Sequence, residues 1–378
     1  MAPAWPPRRT TSPLWYASGT MNARTSKRDV LLITCLASSL TPFMGASVNV
    51  APPAIGGQFQ TSAVALGWVA TAFLLAAAVG LVPIGRLADL RGRKKVFAAG
   101  LAVYSAGSLL CGLAPSLLAL VLFRVVQGIG GAMVFGTSTA ILTATVTPSE
   151  RGMALGWNVA SVYAGLALGP LLGGILTENL GWRNLFFASL PVTLLILVLA
   201  TRRRREEPVE VEGERFDWVG ASIYGMGLVA LMTGFVSLPA LCGLFLLLAG
   251  VVGLVVFALW QLRTTSPLVN LDLFLKSRAL AFSNLAALIN HSATAAVVFL
   301  LSFYLQYSRL LSPGNAGLVL VAQPVLQATL SPLAGRLSDH IQPRIVASIG
   351  MSMTVLGLAL LAFLTPGTPL VLVVLDLA

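Results

Sequence analysis

The chain has 378 residues, of which 57% are hydrophobic and only 10% charged, with a formal charge of +11 and a mean hydropathy of +0.87. An ordinary soluble domain carries about 25% charged residues and cannot hide this much apolar surface, because its own surface grows too fast with size. A soluble enzyme or nucleic-acid-binding domain is thereby excluded, and the bilayer supplies the missing apolar solvent. The three cysteines, Cys35, Cys111 and Cys242, all lie inside apolar runs. They read as small packing residues, not as a disulfide framework or a metal site.

Residues 1–28 hold Pro, Ser and Arg without a long apolar core, so they read as a disordered tail and not a cleaved signal peptide, with Met21 as a second candidate start. A spanning helix needs about 20 mainly apolar residues. Such runs occur at 30–51, 66–84, 96–113, 116–143, 153–176, 183–200, 217–237, 240–262, 280–306, 314–334 and 344–364. The last stretch, Pro369 to Ala378, is about half the required length.

Charge sets the orientation. With the N-terminus cytoplasmic, 21 of the 24 Lys and Arg fall on the tail and inner loops, two (Arg183 and Arg309) on outer loops, and one (Arg124) within a span. The positive-inside bias therefore predicts an N-in, multi-pass protein of the cell membrane, and it accounts for the basic charge without nucleic acid. The run Arg202 to Arg205 reads as a stop-transfer and lipid-headgroup anchor.

The segment from Gly85 to Lys94 (GRLADLRGRK) recurs 250 residues later, from Gly335 to Arg344 (GRLSDHIQPR). Each copy closes one span and opens the next, which predicts two related helical halves. The first copy resembles motif A of the major facilitator superfamily. Leu122 to Gly131 (LFRVVQGIGG) resembles its motif B, and Gly165 to Gly174 (GLALGPLLGG) its motif C, which is associated with exporters. The 250-residue offset exceeds the roughly 200 that two six-helix halves need, and two additional spans account for the excess. This pattern, with Ser47 to Ile55 and Tyr304 to Tyr307, is similar to the fourteen-helix drug:proton antiporter branch.

The resemblance implies an all-α, polytopic membrane protein with two bundles and two extra central helices. Its parts are a tail (1–28), a six-helix bundle (29–200), a charged cytoplasmic loop (201–216), two additional helices (217–262), a cytoplasmic linker (263–279), and a second bundle of three helices and a stub (280–378). Six helices there would need about 90 more residues, so a C-terminally truncated chain is expected, unable to complete alternating access alone.

By the resemblance, Gly85, Asp89, Gly92, Arg93 and Lys94 form a gate in which Asp89 faces a helix N-terminus of the other bundle, where a carboxylate is favoured. Gly335, Asp339 and Arg344 are the second copy, with Gln342 where the first has Gly92. Arg124 shares a helix face with Gln127 and Gly128. It either binds an anionic solute or tunes a proton site, or else is satisfied by carbonyls and locks the bundle. Gly165, Gly169 and Gly173 form a stripe for close helix approach, flanked by Gly174 and bent by Pro170.

The sequence departs from the branch in its first span: Met44 or a neighbour stands where many members carry an aspartate, and 30–51 contains no acid. His291 is the titratable candidate within a span, or a hydrogen-bonded packing residue. The candidate translocation set is Asn49, Arg124, Gln127, Asn158, Tyr163, Asn290, His291, Tyr304, Gln306 and Gln323, any of which could instead bond between helices. No phosphate loop, metal-spaced cluster or acid–base constellation is present, so neither an enzyme nor a cofactor is expected. The expected function is a monomeric secondary transporter exporting small amphipathic solutes, with protons as the coupling ion the branch implies. The alternative is a non-transporting sensor or scaffold derived from the same fold.

Overall fold

The computed structural model describes residues 27–202, 215–311, 313–365 and 368–377. Most of the tail and the loop residues 203–214, including Arg203 to Arg205, lie outside these. Fifteen α-helices make up the described chain, with no strand among the described residues. In order they are α1 (Lys27–Val48), α2 (Pro52–Phe59), α3 (Ala63–Arg91), α4 (Arg93–Gly112), α5 (Leu117–Thr145), α6 (Arg151–Leu180) and α7 (Arg183–Arg202). There follow α8 (Trp218–Val236), α9 (Leu241–Arg263), α10 (Leu271–Lys276), α11 (Arg278–Phe303), α12 (Pro313–Leu320), α13 (Ala322–His340), α14 (Pro343–Leu361) and α15 (Leu370–Leu377). Among the described residues, eleven helical stretches are long and apolar enough to cross a membrane. A helix meets most of its backbone polar groups within the segment, which suits a chain in hydrocarbon.

The helix ends follow from local chemistry. Ser62 accepts a bond from Ala65 N and Ser116 one from Ala119 N, capping α3 and α5. Gly92, at φ 98°, breaks α3 from α4 in a conformation that costs other residues more. In the second copy, Gln342 takes φ −54° and Pro343 opens α14, so a proline at the first helical position makes the break without glycine.

Several elements differ from the expected spans. Helices run beyond the apolar stretches: α3 continues through Arg91 and α13 through His340, so much of each repeated segment is helix and not turn. The expected span 314–334 is divided at Val321, beside Pro324, whose missing N–H falls in the first turn of α13. Helix α11 ends in a π-helical turn, Tyr304–Ser308, and the linker 263–279 holds the short α10.

Helices α1 and α3 to α7 pack around one core that includes Met44, Phe73, Leu101, Tyr104, Leu120 and Phe186. Helices α8 and α9 form a hairpin held through glycines, since a Cβ on Gly250 or Gly234 would strike the backbone of Leu231 or Leu247. Its base is fastened by Asp217. That carboxylate caps α8 at Gly220 N (2.8 Å) and accepts from Gln261 Nε2 (2.9 Å) and Trp260 Nε1 (3.1 Å). Gln261 Oε1 in turn accepts from Leu268 N and Val269 N. A smaller core of Leu301, Leu305, Ala316 and Val373 joins α11, α12 and α15. We call the end where α3 meets α4 the basic face; by helix alternation the starts of α1, α6 and α14 share it.

Candidate translocation site and gate

Close approach of helices comes first, because it decides which side chains can meet. The stripe Gly165, Gly169 and Gly173 lies against α1, where a Cβ on Gly173 would come within 2.8 Å of Ser47 Cα and one on Gly169 within 2.9 Å of Phe43 O. Ser47 Oγ donates to Gly169 O at 2.9 Å across the same contact. Gly174 stands off the contact, its nearest neighbour being Val50 Cγ1 at 3.9 Å. Pro170 lies within the continuous α6 and withdraws one helical N–H. On the other side of the bundle, Gly107 admits Gln127 and Gly128 admits Phe73 to near-contact.

That packing buries Arg124 completely. Its Nε donates to Val69 O at 2.8 Å, one terminal nitrogen donates to Gln127 Oε1 at 2.6 Å, and the guanidinium lies over Phe73 with 4.2 Å to the ring centroid. Gln127 Nε2 passes the chain of bonds on to Ser108 Oγ at 2.7 Å. Buried polar groups need such partners, since each one left unmet costs about 1–3 kcal/mol. Arg124 also lines an open cavity of about 430 Å³ between α1, α3, α5 and α6, with Thr41, Asn49, Leu74 and Phe135 among its walls. From the helix directions, this cavity lies at mid-depth and toward the face opposite the basic one.

The remaining members of the expected set lie elsewhere. Asn158 is buried in the bundle, donating to Ser38 Oγ at 2.9 Å, and Ser38 pairs with Ser138 at 2.6 Å. Tyr163 is partly exposed on α6. His291 is exposed on α11 next to the half-buried Asn290, and Gln323 is half-buried at the start of α13. Tyr304 donates its hydroxyl to Thr365 O at 2.6 Å, and Gln306 bonds within its own helix turn to Ser302. The structure thus brings Asn49, Arg124 and Gln127 together at one cavity and its wall, and places the others outside it.

At the basic face the two copies of the repeated segment behave differently. Asp89, expected to face a helix start of the other bundle, instead accepts from Arg93 Nε at 2.9 Å, an i,i+4 ion pair bridging the Gly92 break. Gly85 meets no neighbour within 4 Å of a built Cβ, and Lys94 follows in the first turn of α4. Asp339 instead reaches the other helical set, accepting from Gly152 N at 2.6 Å and Met153 N at 2.8 Å at the start of α6. A carboxylate on the free N–H groups of a helix start gains both hydrogen bonds and the dipole. Gly335 and Gly152 face each other there with no room for a side chain on either, and Gly156 packs on Ser331 and Pro332. Arg344 is exposed at the start of α14.

Two clusters were not anticipated. At the face opposite the basic one, Gln58 Oε1 accepts from Trp182 Nε1 at 2.9 Å, and Arg183 donates to Ala114 O at 3.0 Å, with its guanidinium 4.4 Å from the Trp182 ring. The other is the Asp217 clasp. An acid directly before the α8 run was the visible signal for a cap there. Lys27 and Glu150 add an ion pair of 2.6 Å joining the starts of α1 and α6. Among the described residues no group of three or more His, Cys, Asp or Glu is placed to hold a metal.

Comparisons with known proteins agree with this architecture. The family model described as Major Facilitator Superfamily matches residues 34–287. The chain is 28% identical over 349 residues to the riboflavin transporter RibZ of Clostridioides difficile (strain 630), covering 91% of this chain and 75% of that protein. It is 33% identical over 343 residues to the multidrug resistance protein Stp of Mycobacterium tuberculosis, covering 88% of this chain. This chain spans 63% of Stp's own length. Among solved structures, the human organic anion transporter MFSD10 (TETRAN) superposes with a TM-score of 0.65 at 17% identity, over 94% of this chain and 82% of that one. That likeness concerns the fold alone. The apolar spans, the packed first bundle and the family match lead to one conclusion: this chain is a multi-pass membrane protein belonging to the Major Facilitator Superfamily.

Proposed function

We propose that this protein is a secondary active transporter that exports small amphipathic molecules by alternating access, a reading that replaces the expectation that the chain cannot complete that cycle alone. The observation that carries the reading is the Asp339 contact. It joins α13 to the start of α6 through two hydrogen bonds at the basic face, while the cavity beside Arg124 lies nearer the other face. Asp339 adds a charged lock to a close α6–α13 junction in which Gly152 meets Gly335 and Gly156 meets Ser331 and Pro332. Its loss shifts a two-state balance by about 1 kcal/mol, or roughly fivefold.

In this reading α1 to α7 (29–200) form one bundle, α8 and α9 (217–262) an inserted pair of the fourteen-helix type, and the helices from 280 onward part of the second bundle. The charge bias places the basic face in the cytoplasm, with lipid around a monomer. Export is favoured by the Gly165–Gly174 motif and by the relation to Stp, a multidrug resistance protein. The gate comprises Gly85 to Lys94 and Gly335 to Arg344, and the solute contacts centre on Asn49, Arg124 and Gln127.

The test is dye accumulation in cells producing the full chain, with a panel of acidic, neutral and basic amphipathic dyes. Lower accumulation of at least one dye, relieved by Asp339→Asn at equal membrane abundance, is the expected outcome. Unchanged accumulation of every dye sinks the transporter reading, and efflux indifferent to Asp339→Asn removes the latch.

A further inference from the structure

Arg124 is wholly buried, yet its bonding is incomplete. Its partners are neutral: the Val69 carbonyl, the Gln127 amide oxygen and the rings of Phe73 and Phe186. Its second terminal nitrogen, Nη2, has no hydrogen-bond partner among the described residues, and neither has the buried hydroxyl oxygen of Thr41. Both residues line the same 430 Å³ cavity. Gly131, on the helix that carries Arg124, keeps space beside Thr41, since a Cβ there would lie 3.4 Å from Thr41 Oγ1 and 3.5 Å from Phe73 Cζ. The rest of the wall is mostly apolar, with Leu74, Leu81, Phe135 and Leu166, and no Asp or Glu lines it.

A buried cation without a counter-charge is costly, and proteins pair such charges or leave them facing a cavity. An unfilled N–H on a guanidinium and an unfilled hydroxyl lining the same cavity match one acidic group, which Arg binds by short, charge-assisted hydrogen bonds. A cation brought to the same place would set like charges together where the dielectric is low. The volume falls within the range of small-molecule sites, which combine apolar walls with a few placed polar groups.

We propose that this cavity binds an amphipathic monoanion, with its acidic group on Arg124 Nη2 and Thr41 Oγ1 and its apolar body along α3, α5 and α6. The proposal names the substrate class for the transporter reading and rests on it for physiological use, but binding itself does not require transport. Asn49 at the rim is placed to meet a polar end of the same solute.

The experiment measures equilibrium binding to the full chain, purified in lipid nanodiscs, of three probes sharing one body: 2-naphthylacetate, its methyl ester and 2-naphthylethylammonium. The acid is expected to bind about tenfold more tightly than either analogue, the size of one charge-assisted hydrogen bond. Arg124→Gln is expected to erase that preference and Arg124→Lys to restore part of it, while Thr41→Val lowers acid affinity several-fold. Because a variant at a buried arginine can fail to fold, Leu74→Trp serves as a second arm that fills the cavity and should abolish binding of the acid. Equal binding of acid and ester, tighter binding of the ammonium, a preference that survives Arg124→Gln or Leu74→Trp, or a site that takes chloride and excludes the naphthyl acid overturns the proposal. Acid binding without any dye efflux would count against the transporter reading alone. Efflux of neutral or basic dyes without acid binding would count against this inference alone.

Discussion

The helices of the first bundle and those from α11 onward are equally apolar but not equally packed. Spans α3 and α4 have hydropathies of 2.2 and 1.4 with 33% and 56% of their apolar windows buried, whereas the spans built on α11 and α14 have 1.7 and 1.8 with 6% and 0%. Apolar content therefore tells which solvent a helix tolerates, and says little about which neighbours it holds. Small residues mark where helices meet closely, as Gly335 of α13 also does against Gly152. In α4, α5 and α6, Gly107, Gly130 and Gly165 each touch backbone of a facing helix so closely that a Cβ would overlap it, while around Gly317 and Gly350 a Cβ would meet nothing within 4 Å. In a bilayer, where hydrophobicity does not drive helices together, such close backbone contact is the main source of association.

The comparison can be broken from its packed side first. Gly165→Leu sets a large side chain against Ser39 O and Phe43 N, and overpacking of this kind costs about 3 kcal/mol. The expected outcome is loss of the monodisperse peak in detergent chromatography. Next in size is the asymmetry between the repeated segments. With cysteines at Met153 and His340, Asp339→Asn should lower crosslinking at the basic face about fivefold. Asp89→Asn should change it less than about twofold, because its partner is an i,i+4 arginine on a partly exposed surface. Equal effects of the two would remove the asymmetry. Asn158→Ala deletes one interhelical bond to Ser38, a loss of about 1 kcal/mol that a thermal shift assay reads as a few degrees. Smallest of all, Gly350→Ala should stay within about 0.5 kcal/mol of the parent. A large loss there would mean that α14 is held by contacts as close as those of the first bundle.

The spans were legible because about 20 apolar residues in a row admit few other readings, and eleven such runs became eleven membrane-length helical stretches. Their ends were less so. Charged residues such as Arg91 and Asp339 extend helices past the apolar run, since a helix needs only its backbone bonds and not an apolar face. The site was legible in part. An arginine inside an apolar span marks itself by cost, and Gln127 follows by helical spacing. Thr41 gave no signal of its own, because hydroxyls in apolar helices commonly bond their own carbonyls, as Thr34 does to Val30 O. Nor could spacing tell that Asn158 turns into the bundle while Arg124 edges a cavity. That depends on which glycine stripe faces which helix, a three-dimensional fact.

The Asp217–Gln261 clasp carries one more consequence. Gln261 binds the incoming carboxylate through its nitrogen and the outgoing Leu268 and Val269 amides through its oxygen. Entry to and exit from the α8–α9 hairpin are thus stitched at a single point. The clasp therefore fixes where the chain leaves the hairpin on its way to α11. The hairpin meets α3 separately, where the Tyr224 hydroxyl donates to Ala78 O at 3.3 Å.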